Sequence, residues 1–386
     1  MSIQLMRKLN DYDIKRKTQR GVLSMVHLCD LHFGVIDPKV EFDILEEQIL
    51  SQIEKIPILD IISINGDLFH RKYMSNTGPI LYGSLFLSRI RSIAIKKNAT
   101  VILIAGTREH DAGQLQLFYH YLEDPDFDIR IVETIQFEYV KGAKILCIPE
   151  LYGIDESVYR KYLFESGLYD MCFMHGTIKG AVYRDNVGQS RLFSIEDFNN
   201  CLGPIISGHV HIAGCYNQYF YYGGSPIRWK FGEEEEKGYL IVLYDLDNGY
   251  HYTHMMPIYS FRYDTINIDE LMTQDPKDVI QYINILKENE NIDYLRIEFS
   301  ERFPTDNLEL LKSYYQNNGR IKLKLTKTKN KTMSEDMIDI SIVNHYEYIF
   351  DSNMSPYDIL ARYINDQENS KVISADIIKE LMEEQL

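Results

Sequence analysis

Apolar residues follow two rhythms along this chain. Up to about Ile258, short continuous apolar runs alternate with stretches whose apolar residues recur at three- and four-residue spacing. The short runs predict strands at Val22–Leu28, Leu59–Ile64, Val101–Ala105, Ile129–Val132, Lys144–Ile148, Met171–Met174, Pro204–Ser207, Tyr219–Tyr222 and Tyr239–Tyr244. Helices are predicted between them, at Glu41–Glu54, Pro79–Lys97, Gly113–Leu122, Glu156–Ser166 and Ser194–Asn199. In the second of these, Tyr82, Phe86, Ile90 and Ile93 line one buried face. Strands alternating with helices indicate a layered α/β fold.

From about Tyr259 the character changes. A helix at Pro276–Lys287, a strand at Tyr294–Phe299, a helix at Asp306–Gln316 and a strand at Arg320–Leu325 predict a small α+β unit. TKTKNKTMSED follows, polar and without apolar periodicity, and reads as a linker. In SPYDILARYI, Ser355 suits an N-cap with Pro356 at the first helical position, and Ser374 suits the cap of a second helix. Both helices carry an apolar stripe too small to form a core alone, so they are expected to dock on another surface. The pattern divides the chain into 1–258, 259–331 and 332–386.

Composition narrows the class. The 386 residues suffice for two or three domains of roughly 100–200 residues each. No window approaches the ~18 uninterrupted apolar residues of a membrane span. The amino-terminal segment is charged and lacks the apolar core of a secretion signal, so a cytoplasmic protein without a membrane partner is expected. The five cysteines form no Cys-x-x-Cys pair and read as small core residues rather than disulfides or a zinc knuckle. With 57 acidic against 41 basic residues the net charge is −16, which argues against a chain that coats nucleic acid unaided. It leaves room for local basic patches or a basic partner.

Chemistry gathers where predicted strands end, the place at which open α/β sheets hold ligands. The first strand runs into Cys29-Asp30-Leu31-His32 and the second into Gly66-Asp67-Leu68-Phe69-His70. The third runs into Gly106-Thr107-Arg108-Glu109-His110-Asp111. Met171–Met174 meets His175, and Pro204–Ser207 meets Gly208-His209-Val210-His211. A single histidine behind a strand is ordinary, but five such strand ends together point to a site. Imidazole and carboxylate without thiolate suit Mn, Fe or Zn. A further carboxylate, Asp67, can bridge two ions, and such pairs activate water for phosphoester hydrolysis.

The order Asp30-x-His32, Gly66-Asp67, His110-Asp111, His175 and Gly208-His209-x-His211 resembles that of the calcineurin-like metallophosphoesterases. The stretches GDLFH and YYGGSPIRWKFGEEEEKGYLIV are similar to the DNA-repair nuclease branch, the SbcD type, counterpart of the meiotic-recombination-eleven nuclease. The resemblance covers roughly Val22 to Val242. It implies a β-sandwich flanked by helices, followed by a small α+β capping domain and a helix pair that binds an SbcC-like ATPase. It further implies a homodimer with 3′–5′ exonuclease and single-strand endonuclease activity on DNA, serving repair or recombination.

By position, Asp30, His32, Asp67 and His211 would take one ion, most often Mn²⁺, and Asp67, His175 and His209 a second. His110 would be the catalytic imidazole, assisted by His70. The family reads Gly-Asn-His-Asp where this chain reads Gly-Thr-Arg-Glu-His-Asp, two residues longer and without the Asn that binds the second ion. Glu109 is expected in its place, with Asp111 or Thr107 as alternatives. A small-molecule phosphodiesterase or phosphatase, or a weakened scaffold subunit, are the rival functions. Finally, Lys322, Lys324, Lys327, Lys329 and Lys331 either touch DNA phosphates or guard an edge strand.

Overall fold

The computed structural model describes residues 21–180 and 192–326, save 234, 272 and 317. The chain divides into compact units at Met1–Leu325 and Thr326–Leu386. Of the second unit only Thr326 is described, so the helices expected from Ser355 and Ser374, and Lys327, Lys329 and Lys331, lie outside the described residues.

The first strands are β1 (Val22–Leu28), β2 (Ile61–Asn65), β3 (Thr100–Ile104) and β4 (Ile129–Val132), then β5 (Gln136–Val140), β6 (Ala143–Ile148) and β7 (Met171–His175). A short pair, β8 (Thr177–Ile178) and β9 (Leu192–Phe193), leads to β10 (Ile205–Gly208), β11 (Gly214–Cys215) and β12 (Phe220–Tyr222). Next come β13 (Gly238–Asp245) and β14 (His251–Pro257), then β15 (Tyr263–Asn267), β16 (Tyr294–Phe299) and β17 (Ile321–Leu325). They form a mixed six-stranded sheet in the order β14-β13-β1-β2-β3-β4 and a second in the order β11-β12-β10-β7-β6-β5. A three-stranded parallel sheet, β15-β16-β17, follows. The mixed α/β class expected from the sequence is the class observed.

Side-chain alternation decides how the two large sheets sit. In β1, Val22, Val26 and Leu28 join one core with the helices, while Leu23 and Met25 join another. β3 splits likewise, Val101 and Leu103 against Ile102 and Ile104. From the second sheet, Ile145, Cys147, Met171, Phe173 and Ile206 meet that inner core, so the sheets pack on each other. Their intervening residues Leu146, Ile148, Cys172 and Met174 pack instead with Tyr159, Leu163 and Phe198. With both faces covered, the central strands are apolar throughout, which is why they read as continuous runs.

Helix α1 (Pro38–Leu45) begins on Asp37, whose carboxylate accepts from Lys39 N at 3.0 Å and Val40 N at 3.1 Å. It runs on through a π turn at Glu46–Leu50 into Ser51–Ile53. Helix α2 (Gly78–Lys97) ends on Asn98 in the left-handed region at φ 52°, a frequent helix stop. The predicted helices at Gly113–Leu122 and Ser194–Asn199 are 3₁₀ turns, Leu115–Glu123 and Ile195–Phe198. Helix α3 (Glu156–Arg160) passes into a π turn at Lys161–Glu165. Helices α4 (Pro276–Asn289) and α5 (Thr305–Tyr315) cover the small sheet through Val279, Ile283, Leu311 and Tyr315.

Six strands escaped the sequence pattern: β5, β11, β14 and β15, each at the edge of its sheet, and the two-residue strands β8 and β9, which pair with each other. β17 is also an edge strand; it exposes Lys322 and Lys324, and Lys324 Nζ donates to Glu298 Oε1 at 3.0 Å. Cys29, Cys147 and Cys172 are buried as expected, whereas Cys201 is half-buried and Cys215 exposed. Among the described residues no helix is long and apolar enough to cross a membrane.

Phe173, fully buried between the large sheets, tests this packing. Phe173→Ala should lower unfolding free energy by roughly 3–5 kcal/mol, read from the midpoint of urea denaturation.

Candidate metal centre

The ends of β1, β2, β3, β7 and β10 converge, and the backbone ties them before any side chain acts. Asp30 N donates to Gly66 O at 3.2 Å, His32 N to Asp67 O at 2.9 Å, and Phe33 N to Leu68 O at 2.9 Å. The loops after β1 and β2 therefore run as one ribbon. Gly66 and Gly208 stand where the chains come closest: a Cβ on either would overlap the His175 ring. Asp30, His32, Asp67 and His209 take positive φ of 50°, 56°, 52° and 79°. Non-glycine residues adopt this region rarely, and its concentration here accords with a functional centre.

Two sets of donors result. Asp30, His32 and His211 form one; Glu150, His175 and His209 form the other; and Asp67 stands with Asp30 and His175, while His32 also groups with His70 and His110. Within each set the donor atoms lie within 4.8 Å of one another. Asp67 Oδ2 is 3.6 Å from His32 Nε2 and 3.4 Å from His175 Nε2, so one carboxylate serves both sets. In the first set His32 Nε2 and His211 Nε2 are only 3.0 Å apart. Without an ion, such a contact holds one shared proton; a cation takes that place without the tautomer cost.

Outer contacts aim these donors. His175 Nδ1 donates to Asn65 O at 2.8 Å, which turns Nε2 toward Asp67 and Glu150. Asp30 accepts from His209 N at 2.9 and 3.1 Å. Lys237, fully enclosed, donates to His211 O at 3.1 Å and Ser225 Oγ at 3.0 Å, and pairs with Glu235 at 3.0 Å. The charged stretch before β13 thus holds the His211 loop from beneath.

Electrostatics follow from burial and crowding. Burial alone resists ionisation of Asp67, yet His175, then His32 and His110, hold its carboxyl well below the usual range. Burial likewise opposes a charge on His175, but Asp67, Asp30 and Glu150 hold its imidazole well above normal. Burial drives His211 down to about 3 and His32 well below its usual value. Asp30 is pushed up to about 7, by burial first, with Asp67 adding and His175 opposing. These opposed shifts mark a centre whose charges depend on one another.

His110 and His70 sit beside the first set. The His110 ring lies 4.8 Å and the His70 ring 5.7 Å from that of His32, with 5.8 Å between them. The Nδ1 atoms of His32, His70 and His110 are buried without a hydrogen-bond partner. Asp111 does not join the donors; it accepts from Gly106 N at 2.9 Å and from Leu68 N and Phe69 N at 3.3 Å. It bolts the third loop to the second.

Glu109 departs from expectation. His110 N and Asp111 N both donate to Thr107 O at 2.9 Å, and this tight turn leaves Arg108 and Glu109 exposed. Glu109 joins none of the donor sets. The extra residues of the loop are taken up after Thr107, not at Gly106. Thr107 itself faces the second set, its N donating to Asp67 Oδ1 at 2.6 Å and its hydroxyl 3.1 Å from Asp67 Oδ2 and 3.0 Å from Glu150 Oε2.

Two neighbours went unread in the sequence. Glu150 directly follows β6 and Pro149, and its N donates to Ala105 O at 3.2 Å, which carries it to the end of β3. A carboxylate behind a strand was the signal that could have found it. The other is Trp229, whose ring is 5.6, 5.4 and 5.3 Å from those of His32, His70 and His211. Its N accepts direction from Glu233, donating to Oε2 at 3.1 Å.

No family model matches the chain, and no curated protein does. Among the solved structures that are similar, one aligns over 61% of this chain and 99% of its own, at 13% identity and a TM-score of 0.37, too loose a likeness to bear on fold or function.

The donors fit a divalent cation: buried, nitrogen and oxygen only, with converging lone pairs. Trp229 is the chain's single tryptophan. Titrating Mn²⁺ should therefore quench its emission saturably, EDTA should restore it, and His211→Ala should shift the quenching to higher Mn²⁺ by at least about tenfold. An emission spectrum blind to Mn²⁺ would argue against an ion beside His32 and His211.

Proposed function

We propose that this protein is a metal-dependent phosphodiesterase acting on DNA, the nuclease subunit of an SbcCD-like end-processing assembly. The observation that carries the reading is Asp67 set between two groups of imidazole and carboxylate donors, with His110 and His70 alongside. Two packed sheets with helices outside, holding this centre at their strand ends, support the metallophosphoesterase layering that the sequence motifs imply.

Asp30, His32, Asp67 and His211 would hold one ion, and Asp67, His175 and His209 the other, both Mn²⁺. Bound there, the ions supply an activated water and neutralise charge on the phosphate. The protein's own part is to fix the donors and present His110. That imidazole lies near enough to the first set to meet a phosphate oxygen or protonate the departing one, and His70 flanks it. Trp229 walls the centre on the side of the following loop.

DNA as substrate draws support from charge placement. In a chain of net charge −16, a cleft of about 520 Å³ is lined by Arg228, Arg262 and Arg296 with Tyr263 and Thr265, and by the carboxylates of Glu233 and Asp264. Arg296 lies 4.7 Å and Lys322 5.8 Å from the Phe231 ring, two residues beyond Trp229. Cations beside aromatic rings suit single-stranded nucleic acid. The homodimer and the ATPase partner belong to the same proposal, the latter through the helices expected from Ser355 and Ser374.

His211→Ala or Asp67→Ala should abolish degradation of linear DNA with Mn²⁺ and lower bound metal. His110→Ala should cut cleavage by about 10²–10⁴-fold with metal retained. Nuclease assays paired with metal analysis distinguish the two classes. Faster turnover of a small phosphodiester than of DNA would overturn the substrate. Truncation after Lys331 should leave a nuclease that no longer co-purifies with its ATPase.

A further inference from the structure

The motif that resembles Gly-Asn-His-Asp lacks its Asn, so on the two-metal reading the second ion is one donor short. The geometry points to Glu150 as that donor: a carboxylate supplied by the strand end after β6 in place of an amide from the loop after β3. This inference rests on the two-metal reading and adds a ligand which the motifs do not contain.

Four contacts carry it. Glu150 Oε2 lies 3.5 Å from His175 Nε2 and 3.0 Å from His209 Nδ1. Its own backbone is pinned to Ala105 O. The Thr107 hydroxyl lies 3.0 Å from Glu150 Oε2 and 3.1 Å from Asp67 Oδ2, between the two carboxylates. The carboxylate is 1% exposed. A carboxylate this deep requires compensating positive charge, and a divalent cation between Glu150, His175, His209 and Asp67 provides it.

The exchange changes the charge of the set. Asp67 and Glu150 together bring two negative charges where Asp67 and an amide would bring one. The second ion is therefore held more tightly and given up more slowly to a chelator. Its field on bound groups is also more fully cancelled.

The test is Mn²⁺ binding to the full-length protein, by isothermal titration and by electron paramagnetic resonance of the coupled ion pair. The unaltered chain should bind two Mn²⁺ and show the coupled signal. Glu150→Gln, which keeps shape and restores an amide, should weaken only the weaker-bound ion, by at least about tenfold. Glu150→Ala should lose the coupled signal while keeping one ion, and Glu150→Asp should recover part of it. Glu109→Ala should behave as the unaltered chain. Two ions with unchanged affinity in both Glu150→Gln and Glu150→Ala would overturn the assignment, as would loss of both ions, which marks a structural bolt. Fewer than two ions in the unaltered chain would overturn the two-metal reading itself, a distinct result.

Discussion

Asp67 is the constraint from which the centre is built. A carboxylate almost wholly enclosed must be met by positive charge or by donors on every side, and here the surroundings do both. Its oxygens take the Thr107 N–H and face His32 and His175, while its backbone carbonyl receives His32 N. Each of those partners arrives from a different strand end. Two parallel strands side by side, β1 and β2, set their loops in contact, and β3 and β7 bring the others within reach. The fold's layering matters to the site in one respect: it makes five strand ends meet at a single edge.

Much of this was legible in the sequence. The central strands are covered on both faces, so their apolar runs were unbroken and their ends sharp; the histidines and aspartates behind them stood out for that reason. Strands β5, β14 and β15 were not legible, since an edge strand carries only part of its surface in a core and mixes polar with apolar residues. The β5–β6 hairpin turns on Lys141 and Gly142, both at positive φ, and Lys is not a residue that announces such a turn.

The site divides in the same way. Residues fixed by motif spacing were found; those fixed by folding were not. Glu109 occupies the expected place in the sequence but not in space, because it lies at the outside of the tight turn that Thr107 O closes and is exposed. Glu150 is the reverse. Among 57 acidic residues its one local signal is its place directly behind a strand; the pairing of its backbone with the end of β3 makes it a neighbour of His175.

The left-handed backbone at Asp30, His32, Asp67 and His209 has a bearing beyond chemistry. Each such residue stores roughly 1–3 kcal/mol that unfolding would release. A ligand that binds only the folded form offsets that cost by mass action. On the two-metal reading, the centre therefore links the lifetime of the protein to the supply of its ions. On that reading, a chain starved of metal would sample the unfolded state more often and meet proteases sooner than a loaded one, so that the amount of the protein would itself follow the metal supply.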